Sequence, residues 1–497
     1  MKMILRTALL SFALLFLVAC SSGGSGDKVT TPTPPTTPAP SQPGEEPVAP
    51  PVVVKERSLT VYVHGYSKTG HKRVGTYGAQ EAIDANEEAK NIVGFSTDYR
   101  GADTNFDENI IISTSYYGNQ PPDYYTAEDI QEIESAEAGI PRYAAIVAKY
   151  AKHKMVESGA TKVNFLSVSM GSLVTRYLVE KNLENLSAEQ LIGRWYSAEG
   201  VIVGNYAASD PVLIRLSNAI DEGSPEAKQM NYAWVNEAFG SGLVTTNPYY
   251  RDIMVGFESS TKDDDLEGIL TKYLLLKGTF YPNDGYQLVK DTHFGIQIMS
   301  NSDLSPYLSA NITNPNYPLT PTQSYFHENH TGLKNNIAAW SQASLFFSSK
   351  RRVQITLTHV RVDDIHEENS QIAEIVFASQ VYSPQLYETA NIAEAIDRRA
   401  LESGILPIHP YQNNGETKIL NQNLFDAFVK PDESLLILEI DAFEIDNSIK
   451  YNIKEGGTGD IEAIGKGRFD IPLSNGTYEV SGENWAGEIK VEIFNYQ

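Results

Sequence analysis

Residues 162–183 read KVNFLSVSMGSLVTRYLVEKNL, and no other stretch of the chain restricts its fold as tightly. Val163, Phe165, Leu166 and Val168 make an apolar run of strand length. Within a few residues the period changes, and Leu173, Tyr177 and Leu178 fall on one face of a helix. A strand that feeds straight into a helix is half of a βαβ crossover and belongs to a largely parallel sheet covered by helices. The alternation extends from Ser58 to about Ser349. LTVYVHG (59–65) and NIIISTSYYG (109–118) are predicted strands, and a helix is predicted over about 127–157, broken near Gly139-Ile140-Pro141. GVIVGNYA (200–207) and KYLLLKGTF (272–280) are predicted as two further strands, with no sheet residues between them.

The chain has 497 residues, more than one ordinary domain uses. After Lys350-Arg351-Arg352 the helical pattern stops. VQITLTHVRV, AEIVFASQVY, SLLILEIDAFEI, RFDIPL, TYEV and EIKVEIF are strand-like, and Ser474-Asn475-Gly476 between two of them is a hairpin signal. The expectation for 350–497 is an all-β sandwich. Asp363, Asp364, Glu367 and Glu368 read as a solvated loop, with a calcium-binding, C2-like role as the lesser reading.

A formal net charge of −24 excludes nucleic acid as a partner, because phosphate contacts need clustered Lys and Arg. Cys20 is the only cysteine, so neither an internal disulfide nor a cysteine metal site can form. It ends a segment, 1–20, with Lys2 and Arg6 ahead of a short apolar run, which reads as a signal peptide. Leu17-Val18-Ala19-Cys20 resembles the bacterial lipobox, which implies lipidation of Cys20 and anchoring to a membrane. Ser21 in place of Asp favours the outer membrane. Residues 21–57, Ser/Gly-rich and then Thr/Pro-rich, are expected to be an extended linker.

Ser167-Val168-Ser169-Met170-Gly171 stands where strand meets helix. Acyl transfer by a serine needs its oxygen held on a sharp strand-to-helix turn, with small residues two before and two after. Ser169 meets this, flanked by Ser167 and Gly171, whereas Ser167 and Ser172 lack a glycine two positions on. Ser169 is the candidate nucleophile. The backbone N–H of the next residue, Met170, is one candidate oxyanion donor.

The run VNFLSVSMGSLVTRYLVE resembles the nucleophile elbow of bacterial triacylglycerol lipases and related α/β-hydrolase esterases, apart from Ser167 in place of the usual first glycine. The resemblance covers roughly 58–345. It implies an α/β-hydrolase fold and a second oxyanion donor from Tyr66, after the His64-Gly65 pair, with His64 shaping the loop. It also implies the chain order serine, acid, histidine. Asn283-Asp284-Gly285 stands where such lipases carry the acid, so Asp284 is expected in that role, with Asp291 and Asp210 as alternatives. Asn329-His330-Thr331-Gly332-Leu333 is similar to their catalytic-histidine loop, so His330 is the expected base; His327 is the alternative and His293 reads as structural. Gly332 occupies the place where those lipases often carry a calcium-binding Asp, so calcium is unsupported and no cofactor is expected.

About 208–270 is expected to be a helical insertion. Val212, Leu213, Leu216 and Ile220 make an apolar stripe, and Trp234, Phe239, Leu243, Tyr249 and Tyr250 add bulk. Two roles are open for it: a lid over an acyl pocket, or a helical excursion packed on the sheet. The function expected is hydrolysis of hydrophobic or lipid carboxylic esters. The rivals are a phospholipid or glycolipid deacylase or an acyltransferase on the same residues, and a surface binding lipoprotein with a decayed hydrolase.

Overall fold

The computed structural model describes residues 58–81, 110–209, 220–240, 247–260, 283–294, 321–326, 328–333, 336–365, 372–384, 397–399, 409–445 and 461–496, with Ile214 and Lys262. The expected leader, Cys20 and the linker lie outside them, as do Asp210, His327, the strand expected at 272–280 and, apart from Ile220, the apolar stripe.

Six parallel strands form the first sheet: β1 (Ser58–Val63), β3 (Ile110–Thr114), β4 (Lys162–Val168), β5 (Ile192–Ala198), β6 (Met254–Ser260) and β7 (Thr322–Phe326). Their spatial order is β3-β1-β4-β5-β6-β7, and β2 (Gln80–Glu81) adds an antiparallel edge beside β3. This is an α/β-hydrolase-like sheet. Alternate side chains enter different cores, as the period of two demands. Val61, Phe165 and Trp195 join the core beneath helices α1 (Ala127–Ser135), α2 (Ile140–Ser158) and α3 (Met170–Glu180). Tyr62, Leu166 and Tyr196 join the one that contains Trp340 and Phe346 of a later helix. Burying each such large apolar side chain contributes about 1.5–3 kcal/mol, which is what holds helices to both faces.

The expected break in the 127–157 helix is present: α1 ends at Ser135, and α2 starts after Gly139 (φ 95°) with Pro141 in its first turn. Thr126 begins α1 with a reciprocal capping box to Asp129. Beyond β5 come α4 (Pro225–Gln229) and α5 (Tyr232–Phe239), and α6 (Ile337–Ser348) follows β7.

Two sequence expectations are corrected. GVIVGNYA is not a strand. The strand is the preceding Ile192–Ala198, and Val201, Ile202 and Val203 are buried in a loop whose N–H groups bond to the Ser169 and Asp291 carbonyls. The apolar run is real, but it fills core beneath the elbow. Nor is 208–270 free of sheet, because Met254–Ser260 is a fully integrated strand between β5 and β7.

The C-terminal strands form two antiparallel sheets. One runs β12 (Glu416–Val429), β8 (Arg351–Val362), β16 (Trp485–Asn495), β15 (Gly476–Ser481). The other runs β10 (Asp397–Arg399), β9 (Ala373–Tyr382), β13 (Leu435–Ile445), β14 (Ile461–Pro472), with β11 (His409–Tyr411) also on β9. Ile355, Leu357, Phe377, Leu438 and Trp485 share the core between them. The α6 end meets this unit directly: the Phe346 and Phe428 rings lie edge to face at 5.5 Å, and the Arg194 guanidinium sits 5.4 Å over Phe428.

Candidate active site

The strand order turns back at β1, between β3 and β4, and ligands of open α/β sheets bind at the carboxyl ends of strands beside such a point. The loops that leave β1, β4, β5 and β7 there carry Gly65, Ser169, Glu199 and His330, and Asp284 lies between β6 and β7 in the chain.

Ser169 is the turn itself. Its φ of 52° and ψ of −126° are a strained backbone for a residue with a side chain, and such strain costs about 1–3 kcal/mol. The turn is as tight as it is because strand and helix backbones nearly touch: a Cβ on Gly171 would lie 2.3 Å from the Val63 carbonyl oxygen and 2.5 Å from that of His64. That is the physical reason for glycine two positions past Ser169. At the other flank Ser167 is buried, and its Oγ accepts from Trp195 Nε1 (2.7 Å) and lies 3.1 Å from Ser172 Oγ. Ser197 Oγ donates to Ser172 Oγ at 2.8 Å. Of Ser167, Ser169 and Ser172, only Ser169 lines the cavity.

His330 Nε2 is 3.1 Å from Ser169 Oγ, and His330 Nδ1 is 2.7 Å from Asp284 Oδ2. Asp284 is buried, and its other oxygen accepts from the Tyr286 and Gln287 N–H groups (2.9 and 2.6 Å). The His330 N–H bonds to the Asp284 carbonyl (2.9 Å), so the two loops are also joined through their backbones. The carboxylate can thus fix the imidazole with a proton on Nδ1 and leave Nε2 to face the serine.

Met170 is the first residue of α3, where a helical N–H has no carbonyl one turn back to bond to. Tyr66 follows Gly65, whose added Cβ would lie 3.1 Å from that of Ser169. The loop is braced from β3's exit: Tyr116 Oη donates to the His64 carbonyl (2.6 Å), Ser67 N–H donates to Tyr117 Oη (3.0 Å), and His64 stacks on Tyr116 at 3.8 Å. The Tyr66 hydroxyl in turn accepts from the Asp221 N–H at 2.9 Å. A cavity of about 800 Å³ opens here, lined by Tyr66, Tyr117, Ser169, His330, Leu333 and Trp340 among others.

The remaining candidates are placed as follows. Asp291 is buried and accepts from Tyr232 Oη (2.6 Å), so it holds α5 and not the histidine. His293 is buried with Nδ1 3.3 Å from the Phe294 carbonyl. Trp234 stacks on Tyr177 of α3, Phe239 lies under the Arg176 guanidinium at 4.0 Å, and Tyr250 is buried against Trp195 and Phe294. These aromatics therefore pack on the body of the domain, and among the described residues none from α4 or α5 lines the cavity. Asp363 is engaged by Arg361 (Nε to Oδ1, 2.8 Å).

Sequence reasoning missed Glu199. It sits just past β5, is 2% exposed, has φ 48°, and its Oε2 is 3.5 Å from His330 Nδ1. Ser260 Oγ donates to its Oε1 (2.6 Å). Burial holds its carboxyl well above the usual range, the His330 charge opposes that, and Asp284 and Glu258 add to it. Had β5 been recognised, an acid at its carboxyl end would have stood out. Glu199, Asp284 and His330 are the one group among the described residues close enough together to hold an ion, and in this structure Asp284 Oδ2 and His330 Nδ1 form a hydrogen bond with each other.

No family model matches the sequence, and no curated protein is significantly similar to it. Solved structures similar to this chain include the Bacillus licheniformis lipase BlEst2 (13% identity, 57% of this chain and 89% of that one, TM-score 0.33). A metagenomic carboxyl esterase (14%, 61% and 77%, 0.31) and the phospholipase PlaB from Legionella pneumophila (10%, 78% and 86%, 0.34) are also among them. At these scores the likeness carries no activity across, and the functional reading rests on the side chains.

Proposed function

We propose that this protein is a serine hydrolase that cleaves hydrophobic carboxylic esters through an acyl-enzyme. The observation that carries the reading is the line Ser169 Oγ–His330 Nε2–His330 Nδ1–Asp284 Oδ2, with spacings of 3.1 and 2.7 Å, beginning on a strained turn in an open cavity. In this reading Ser169 Oγ attacks the ester carbonyl carbon while its proton passes to His330 Nε2. Asp284 stabilises the imidazolium. The N–H groups of Tyr66 and Met170 receive the oxyanion. His330 then gives the proton to the departing alcohol, and water repeats the sequence to release the acid.

Thr69, Lys72 and Arg73 give the cavity a polar part, and Tyr62, Tyr117, Val168, Leu333 and Trp340 give it an apolar part that favours an apolar acyl chain, since each buried methylene is worth about 0.8 kcal/mol. The kcat/KM for p-nitrophenyl esters, measured below their aggregation limits, is expected to rise from acetate to medium chains before levelling off. A preference for acetate over all longer chains would replace the lipid-ester reading with a short-chain esterase. The reading includes export and anchoring to a bacterial membrane, the outer membrane of a Gram-negative cell, through lipidated Cys20. Detergent-phase partitioning in Triton X-114 is expected for the full chain and lost in Cys20→Ser; partitioning by both would locate the anchor elsewhere.

A further inference from the structure

Two acids, not one, face the same nitrogen of His330. Asp284 Oδ2 is at 2.7 Å and Glu199 Oε2 at 3.5 Å, each nearly closed to solvent. They come from different parts of the chain, Asp284 from between β6 and β7 and Glu199 from immediately after β5. Glu199 is aimed there deliberately by its surroundings. Its backbone holds a positive φ of 48° that a glutamate rarely adopts, its N–H bonds to the Glu258 carbonyl (2.8 Å), and Ser260 Oγ holds its far oxygen. Burying a carboxyl costs several kcal/mol if it ionises, and a glutamine here would accept the Ser260 hydrogen bond equally well. A purely structural need does not require an acid.

Resting on the triad reading, we propose that Glu199 is a second carboxyl partner of His330, a positioning residue that shares the imidazolium charge and takes over Nδ1 when Asp284 cannot. The titratable groups that face it are His330, Asp284 and Glu258, one from each of the neighbouring loops and strand β6. While Asp284 is ionised, a second anion beside it is unfavourable, and Glu199 keeps its proton. When His330 takes the proton of Ser169, the new positive charge lowers the cost of ionising Glu199. If Asp284 is made neutral, Glu199 becomes the only carboxylate within reach of Nδ1.

The test compares wild type, Glu199→Gln, Asp284→Asn and the double variant in full-length protein, reading kcat/KM for p-nitrophenyl butyrate against pH. An amide in place of the orienting acid costs about 10⁴-fold where no other acid reaches the histidine. Here Asp284→Asn is expected to lose only about 10²-fold, Glu199→Gln a few-fold, and the double variant the full ~10⁴-fold, far more than the product of the single losses. The pH profile separates positioning from mere packing. With Asp284 neutralised, activity must wait for Glu199 to ionise, so the acid limb should move to higher pH. In the double variant it should move below that of wild type, because the imidazolium has lost both anions. A limb in Asp284→Asn that moves down, or a Glu199→Gln effect equal in both backgrounds, would overturn the proposal. The Asp284→Asn profile decides this even if Glu199→Gln does not fold. Loss of all activity in wild type, or activity that survives Ser169→Ala, would instead overturn the triad reading itself.

Discussion

The two halves of the described molecule bury their polar groups differently. In the α/β half, Ser167, Ser172, Ser197, Glu199, Glu258, Asp284 and Asp291 are all closed to solvent near the carboxyl ends of the strands. In the β half, the core is made of residues such as Ile355, Leu438 and Trp485, and its buried ion pair, Arg352 with Asp426, is bidentate at 2.6 and 2.7 Å. Positive φ outside glycine is commoner among the described residues of the α/β half: Ser169 and Glu199 hold it beside the cavity, and Asn182, Glu184, Asn185 and Gln190 hold it in the connection from α3 to β5, whereas the β half has Asn421, a residue type that tolerates that conformation, next to a bulge in β12. Buried carboxyls and a strained serine cost stability and return none of it as packing. The concentration of these buried acids and serines at one end of one sheet marks where that cost supports chemistry.

The contrast breaks most visibly at the serines. Ser169→Ala is expected to lower turnover by about 10⁶-fold. Ser167→Ala should keep activity within about tenfold while costing about 1–3 kcal/mol of stability, because Trp195 Nε1 loses its acceptor. Equal activity losses at the two positions, measured by initial rates beside urea melts, would mean that burial and strain do not separate nucleophile from scaffold.

The join between the halves is next. Phe428 is fully buried between Phe346 and Tyr496, so Phe428→Ala should destabilise the protein by about 3–5 kcal/mol. Remaining folded molecules should have normal kcat, since the ring, on β12, packs against the C-terminal end of α6, whereas His330 lies before that helix begins. A kcat that falls while thermal stability holds would show that the β half serves the site as well as the fold.

The smallest effect is expected at Glu258, which Tyr196 Oη contacts at 2.7 Å. Burial pushes its carboxyl up to about 7 from an ordinary 4.5. Below 4.5 it is protonated folded and unfolded. Between 4.5 and 7 the unfolded chain releases the proton and the folded one keeps it, so stability falls; above 7 the penalty is constant. Glu258→Gln should therefore raise stability at pH 8, by at most about 3 kcal/mol, and change little at pH 4. Melting curves at the two pH values check this, and a gain equal at both would point to packing.

Much of this arrangement is legible in the chain. The elbow announces itself because an apolar strand pattern (Val163, Phe165, Leu166, Val168) changes to helical period across a single serine, and the strands expected at 59–65, 109–118 and 162–169 are β1, β3 and β4 of the parallel sheet. What is hidden has a common cause. Ile192–Ala198 carries Arg194 and Met254–Ser260 carries Glu258, so each lacks the uninterrupted apolar run that marks a buried strand. Arg194 reaches out to the Ser349 carbonyl (2.9 Å), and Glu258 is bonded by Tyr196, contacts that no local pattern encodes. GVIVGNYA has the run but serves a loop. Once β5 is misplaced, Glu199 reads as an ordinary loop acid, so the second carboxyl beside His330 was invisible.

The central claim is that one strained serine, and not its buried neighbours, is the nucleophile. Treating the folded protein with a fluorophosphonate probe and mapping the adduct by peptide mass spectrometry tests it most directly. A single phosphonylated peptide with the label on Ser169, abolished in Ser169→Ala and slowed in His330→Ala, is the result expected. Labelling on Ser167 or Ser172, or none in a folded wild-type protein, would contradict it.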